Sequence, residues 1–265
     1  MPLRKRIDEL EELYARFNRR ELAGHDPIVF LYGYPDPQDR EVAAVVASSL
    51  AYGRVAQVLA SVRKVLGVLG ERPARRLRDA TDSGLRKSLA DFRHRFTTGQ
   101  HLADLLCAVR DVRHQFGSLN RCFLAGMGAE TGPTNETYLP GITFLAETLR
   151  ASCGGVPKFL LPSPSGGSAC RRLNLMLRWL IRRDAVDPGG WEGVSPRGLL
   201  VPLDVHMHRM ARKLGATRRK AADLRTVLEV TAAFREACPE DPVRYDFALT
   251  RAGILGLSRA KRRSE

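Results

Sequence analysis

The stretch VPLDVHMHRMARKLG, residues 201–215, decides how the rest of the chain is read. Val205, Met207, Met210 and Leu214 recur at helical spacing among basic residues, which predicts a helix with those four side chains turned inward. Pro202 keeps the chain extended just ahead of it. Asp204 stands where that helix begins. One reading of Asp204 is an N-cap, whose carboxylate accepts backbone N–H bonds and suits the positive end of the helix dipole. The other is that a carboxylate held at a helix start does chemistry.

The flanking sequence is also helical in pattern. Residues 3–22 are amphipathic, and HDPIVFLYGYPDP (25–37) reads as a loop with aromatic anchors and turn prolines. Residues 39–70 carry two long apolar stretches, with a break or kink expected at Gly53. Residues 73–96, 101–115 and 140–152 keep the helical period, and Ser118 is the expected cap of a helix in GSLNRCFLAGM. CRRLNLMLRWLIRRD (170–184) predicts a helix, with Trp179 in the core. A long loop carrying Trp191 leads to Asp204, and further helices are expected at about 219–237 and within DPVRYDFALTRAGILG (241–256). There is no repeat and no strand alternation, so the expected fold class is all-α.

At 265 residues and 44% hydrophobic, the chain can bury a core in one or two compact units. No run of about 18 apolar residues indicates a membrane span. MPLRKRIDELEELYARF, at the start, is charged and periodic, unlike a secretory signal. The five cysteines, Cys107, Cys122, Cys153, Cys170 and Cys238, include no Cys-x-x-Cys pair. That favours a reduced cytoplasmic protein without a zinc site or a cysteine-held iron–sulfur cluster. Lys plus Arg outnumber Asp plus Glu by 43 to 29, a net charge of +14. Arginine dominates, and its planar fork binds two phosphate oxygens at once. A polyanion, most simply nucleic acid, is the expected partner; solvated arginine-rich faces are the other account.

Upstream of Asp204, PSPSGGSACRRLNLMLRWL (162–180) opens a helix from a glycine turn. Gly166, Gly167 and Ser168 could bring backbone N–H groups close to an anion, with Arg171 and Arg172 just behind. A flexible turn capped by Ser168 is the alternative.

PLDVHMHRMARKLG resembles the catalytic-aspartate segment of the helix-hairpin-helix DNA glycosylases, with Asp204, His206, Arg209, Leu214 and Gly215 on the family pattern. SGGSACRRLN is similar to the family hairpin, although it lacks a clean L-P-G-x-G. EVAAVVASSLAYGRVAQVLASVRKVL (41–66) resembles the early helix pair, whose corner supplies a residue that fills the gap left by a flipped base. Ala51, Tyr52, Gly53 and Arg54 occupy that corner, and YDFALTRAGI resembles the closing helix. Over most of its length the chain is identified as a member of the DUF2400 family, by the blocks EVAAVVASSLAYGR, GSACRRLNLMLRW, PLDVH and DPVRYDFAL between Glu41 and Leu249.

The glycosylase resemblance implies a two-lobed helical body with the site in the cleft between lobes. The expected division is residues 1–39 packing on the C-terminal lobe, a central lobe over 40–150, a hairpin-containing lobe over 151–257, and a basic tail from 258 to 265. It implies base excision from double-stranded DNA. Asp204 would be catalytic. Gly166, Gly167, Ser168, Arg171, Arg172 and Arg209 would grip the DNA backbone, and Tyr52, Arg54 and Trp191 would form pocket or wedge. Tyr52 and Trp191 are equally readable as packing residues. His206 and His208 read as surface or capping groups, since two histidines make no metal site. Tyr245 and Asp246 could reach a pocket, but YDFAL reads first as a packing motif.

Three features depart from the glycosylase pattern. Bifunctional members carry a hairpin lysine that attacks the sugar; here both Arg171 and Arg172 are arginine, which cannot serve as an amine nucleophile. Lys158 and Lys213 are the nearest lysines, and neither matches the position. The interval from hairpin to aspartate is longer than in endonuclease-III-like members, as it is in the archaeal 8-oxoguanine glycosylases. The four-cysteine cluster of some relatives is missing. The expectation is therefore a monomeric, nucleoid-associated enzyme that uses water, with no cofactor, no metal and no membrane contact. Two alternatives stand beside it: a non-catalytic nucleic-acid-binding module, and an N-glycosidase of a free modified nucleoside or nucleotide. The net charge argues against the last, because a small substrate needs no wide basic face.

Overall fold

The computed structural model describes residues 3–128, 137–152 and 155–254. After a 3-10 turn at Leu3–Arg6, α1 spans Ile7–Phe17. Two further 3-10 segments follow: Arg20–Ala23 takes up the end of the amphipathic stretch 3–22, and Pro27–Gly33 lies within what the sequence suggests is a loop. Helix α2, Pro37–Ser49, opens behind Asp36, which accepts from the Gln38 N–H, with a proline at its first position. The expected break follows: Gly53 takes φ 96°, where a side chain would be strained, and α3 runs from Val55 to Leu69.

Residues 73–96 follow one helical period in sequence but fold as three pieces. These are α4 (Pro73–Arg78), α5 (Asp82–Ser88), and the first strand of a two-stranded antiparallel hairpin. Thr81 restarts the chain by capping α5 through the Gly84 N–H. In the hairpin, β1 (Arg93–His94) pairs with β2 (Thr97–Thr98). Helix α6 is Gly99–Phe116, and α7 is Leu119–Met127, capped by Ser118 as expected. Helix α8 covers Leu139–Ser152, and a 3-10 turn at Pro164–Gly166 precedes α9, Arg171–Ile181. Then come α10 (Val205–Leu214), α11 (Leu224–Ala237) and α12 (Asp246–Ile254). Helix α11 starts later than its pattern suggests because Asp223 caps it, accepting from the Thr226 N–H. The architecture is all-α apart from that hairpin. No helix among the described residues is long and apolar enough to cross a membrane. The basic tail and Cys153 lie outside the described residues.

Helix α2 is the central strut. Its residues from Val42 to Ala47 are all buried, and Ala43, Ala44 and Ala47 let neighbouring backbones approach closely. It packs on α9, α4 and α3. Trp179, on α9, is wholly buried as expected. The N-terminal helix α1 lies against α12: Glu11 accepts two bonds from Arg244, both 2.9 Å, and one from the Tyr245 hydroxyl at 2.6 Å.

A buried ion network locks α9 to the C-terminal segment. Arg178 reaches Asp187 at 3.1 Å and Asp246 at 2.5 Å. Arg182 pairs with Asp184, Asp187 and Asp241. Such charges are tolerable inside only because they are matched, and removing one partner leaves an uncompensated charge at a cost of about 3–5 kcal/mol. This network sets how α9 faces α12, and the candidate site lies along that face.

Candidate functional site

Asp204 caps α10 and does more. One carboxylate oxygen accepts from the Met207 N–H at 2.7 Å, and the other lies 3.3 Å from an Arg171 Nη. The side chain still keeps 21% of its surface exposed. It opens into a cleft of about 840 Å³. The walls come from the α2–α3 corner (Tyr52, Gly53, Val55), from α9 (Arg171, Leu175, Arg178), from the start of α10 (Asp204, Val205, His206) and from α12 (Asp246, Phe247, Ile254). Glu21, His25 and Asp26 close one side. Val205 was expected to point inward with Met207, Met210 and Leu214. Those three are buried, but Val205 is 72% exposed, because the first residue of α10 sits on the cleft wall and not over the core.

The second carboxyl of the cleft is Asp246, which the sequence suggests is a packing residue. Burial pushes its pKa up to about 6; Arg178 pulls it back and the negative charge of Asp204 pushes it further up. A carboxyl poised there can exchange a proton near neutral pH, while a fixed carboxylate beside it can stabilise positive charge or orient water. The signal in the sequence was an aspartate inside the apolar run YDFAL, an expensive placement without a partner.

Tyr52 is held rigidly in the wall. Its hydroxyl donates to the His94 carbonyl at 2.9 Å and lies 2.7 Å from Thr97 Oγ1, and the Arg172 guanidinium sits 5.2 Å from its ring centre. The two arginines behind the glycine turn differ. Arg171 donates to the Ala51 carbonyl at 2.6 Å, contacts Asp204 and retains 32% exposure. Arg172 is turned inward: it donates to the Ser49 carbonyl at 2.7 Å and to the Phe159 carbonyl, and burial pulls its pKa below the usual arginine value. Arg172 thereby clamps α9 to the end of α2 through the Ser49 carbonyl.

Other expected site residues do not meet in the cleft. The exposed Gly166–Gly167 turn does not line it; Gly167 accepts from the Leu224 N–H at 3.0 Å, and Ser168 bridges to Asp223, so the turn docks on the start of α11. Trp191 is buried away from the cleft, with its indole N–H on Glu41 at 3.0 Å and its ring near Phe123. It packs because Glu41 gives its one donor a buried acceptor. Arg54 is exposed at the start of α3, next to the cleft residues Gly53 and Val55. Arg209 lies on a separate basic shelf with His208, Arg212, Lys213 and Arg218, joined to the cleft wall at Val205. Among the described residues no lysine lines the cleft, and no cluster has three or more His, Cys, Asp or Glu able to hold a metal.

A family model described as "Protein of unknown function (DUF2400)" matches residues 26–255. The chain belongs to this family. No curated protein and no solved structure matches it. The part matched to DUF2400 contains Tyr52, Arg171, Asp204 and Asp246, and so the main walls of the cleft. Helix α1 and Glu21 precede the match.

Proposed function

We propose that this DUF2400 protein is a DNA N-glycosylase that removes a damaged or modified base with water as nucleophile. The observation that carries the reading is the partly open Asp204 carboxylate, clamped by Met207 and Arg171 in a cleft that also holds Asp246. The cleft, about 840 Å³, is within the usual size range for small-ligand sites, so an extruded nucleoside fits. As the bond between C1′ and the base breaks, positive charge builds on the sugar. A carboxylate that is already oriented stabilises that charge without reorganising. Arg171 keeps Asp204 in place. Asp246 is suited to hand a proton to the leaving base or take one from the incoming water. Arginine, not lysine, stands at positions 171 and 172 behind the glycine turn, which supports water over an amine nucleophile. The net charge of +14 and the shelf around Arg209 supply a surface for the phosphate backbone. Extruding a base costs a few kcal/mol, which contacts at the cleft mouth must offset.

The experiment is single-turnover incubation with a panel of duplexes, each bearing one altered base, followed by alkaline cleavage of abasic products. Excision of at least one base, lost in Asp204→Asn with duplex binding retained, is expected. Tight, salt-sensitive duplex binding with no excision would leave a non-catalytic binding module instead.

A further inference from the structure

The hairpin β1–β2 presents an aromatic side chain to solvent. A two-stranded hairpin this short does not hold itself together. It is pinned from below: His94 is 3% exposed, its ring nitrogens lie 2.9 Å from Ser61 Oγ and 3.0 Å from the Tyr52 carbonyl, and burial holds it below the usual histidine pKa. The two-residue turn is Arg95–Phe96. Arg95 adopts φ 53°, a conformation that turns of this kind normally give to glycine. On this rigid mount the Phe96 ring is left 55% exposed.

Phe96 is not a stray surface residue. It stacks on Tyr52 with ring centres 5.0 Å apart and planes 21° apart, and Phe159, also exposed, meets it edge-on at 5.2 Å. Tyr52 is a wall of the cleft, so an aromatic ladder runs from the candidate site out to solvent. Exposed cations stand next to it in the chain: Arg93 and Arg95 in the hairpin, and Lys158 beside Phe159. Flat rings take nucleobases and adjacent cations take phosphates, which is how single-stranded nucleic acid is held without sequence preference.

We infer that Phe96 is a stacking platform for an unpaired nucleobase of a DNA strand whose neighbouring nucleotide occupies the cleft. The inference deepens the reading above and rests on its nucleic-acid partner, but not on its chemistry. The rings take the base, and the hairpin cations steady the phosphates on either side.

The test uses the full chain and two labelled duplexes, one with a single bulged adenosine and one with an abasic tetrahydrofuran at the same position. Wild type should prefer the bulged base. Phe96→Ala should reduce that preference by about fivefold or more, the range of a lost base–aromatic stack. Because no charge is removed, affinity for a fully paired duplex and its salt dependence should not change. Phe96→Trp should restore the preference, and an unchanged thermal midpoint will confirm that the alanine variant folds. An unaltered preference in Phe96→Ala, or no preference in wild type, overturns the inference. Base preference without excision on any duplex would remove the glycosylase reading and leave this one standing; excision with no effect of Phe96→Ala would do the reverse.

Discussion

Replacing Asp204 with asparagine separates the two roles its carboxylate can have. As a cap, asparagine is about as good as aspartate, so the bond from the Met207 N–H, 2.7 Å long, should survive. What is lost is the ion pair with Arg171, at 3.3 Å between side chains that keep 21% and 32% of their surface. Discounted for that exposure, the pair is worth about 0–1 kcal/mol. Asp204→Ala loses the cap as well, about 1 kcal/mol more. A domain about 5 kcal/mol stable stays more than about 99% folded after the first change. Unfolding therefore cannot account for a large loss of activity. Removing a fixed group that stabilises developing charge costs about 10²–10³ in rate. The assay pairs urea unfolding with single-turnover excision and duplex binding. The expected outcome for Asp204→Asn is a midpoint near wild type, binding equal or slightly tighter, and excision lost by at least about a hundredfold. Excision within a few-fold of wild type would show that Asp204 is only a cap. So would losses that track stability across Asn and Ala.

Three other outcomes follow from the same geometry. Arg172→Ala should lower stability by about 2 kcal/mol or more through its two carbonyl bonds, read as a shift in the urea midpoint; an intact midpoint with a salt slope flattened by about one unit would make Arg172 a phosphate contact instead. Asp246 titrates at about 6 in the native state against 3.8 for an ordinary aspartate, so the folded protein holds an extra proton between those values. Its contribution to stability therefore falls as pH rises through that window and is flat above it. The unfolding free energy of wild type minus that of Asp246→Asn should fall from about pH 4 to 6, and a signed difference that rises with pH would contradict the assignment. Borohydride should trap no covalent adduct on an excised substrate, since the residue that meets Asp204 from α9 is Arg171, which cannot serve as an amine nucleophile; an adduct would direct attention to Lys158 or Lys213.

The sequence by itself determined what short range controls. Helical spacing placed α9, α10 and α12; Ser118 and Asp204 marked helix starts; Gly53 marked the break between α2 and α3. Each depends on neighbours three or four residues apart, so the pattern is written locally. Asp204 could be singled out for the same reason. Tertiary structure alone decided which polar groups share a space. Arg172 finds its acceptors at Ser49 and Phe159, Trp191 finds Glu41, and Asp246 faces the cleft of Asp204 while held by Arg178. The Arg95–Phe96 turn had no strand alternation to announce it, since two paired residues a side are too few to show a period. It stands because His94, on β1, is held by Ser61 of α3 and by Tyr52 at the α2–α3 corner. A buried charge or exposed ring is placed by whichever partner the packed helices bring within about 3 Å, and no local spacing encodes that choice.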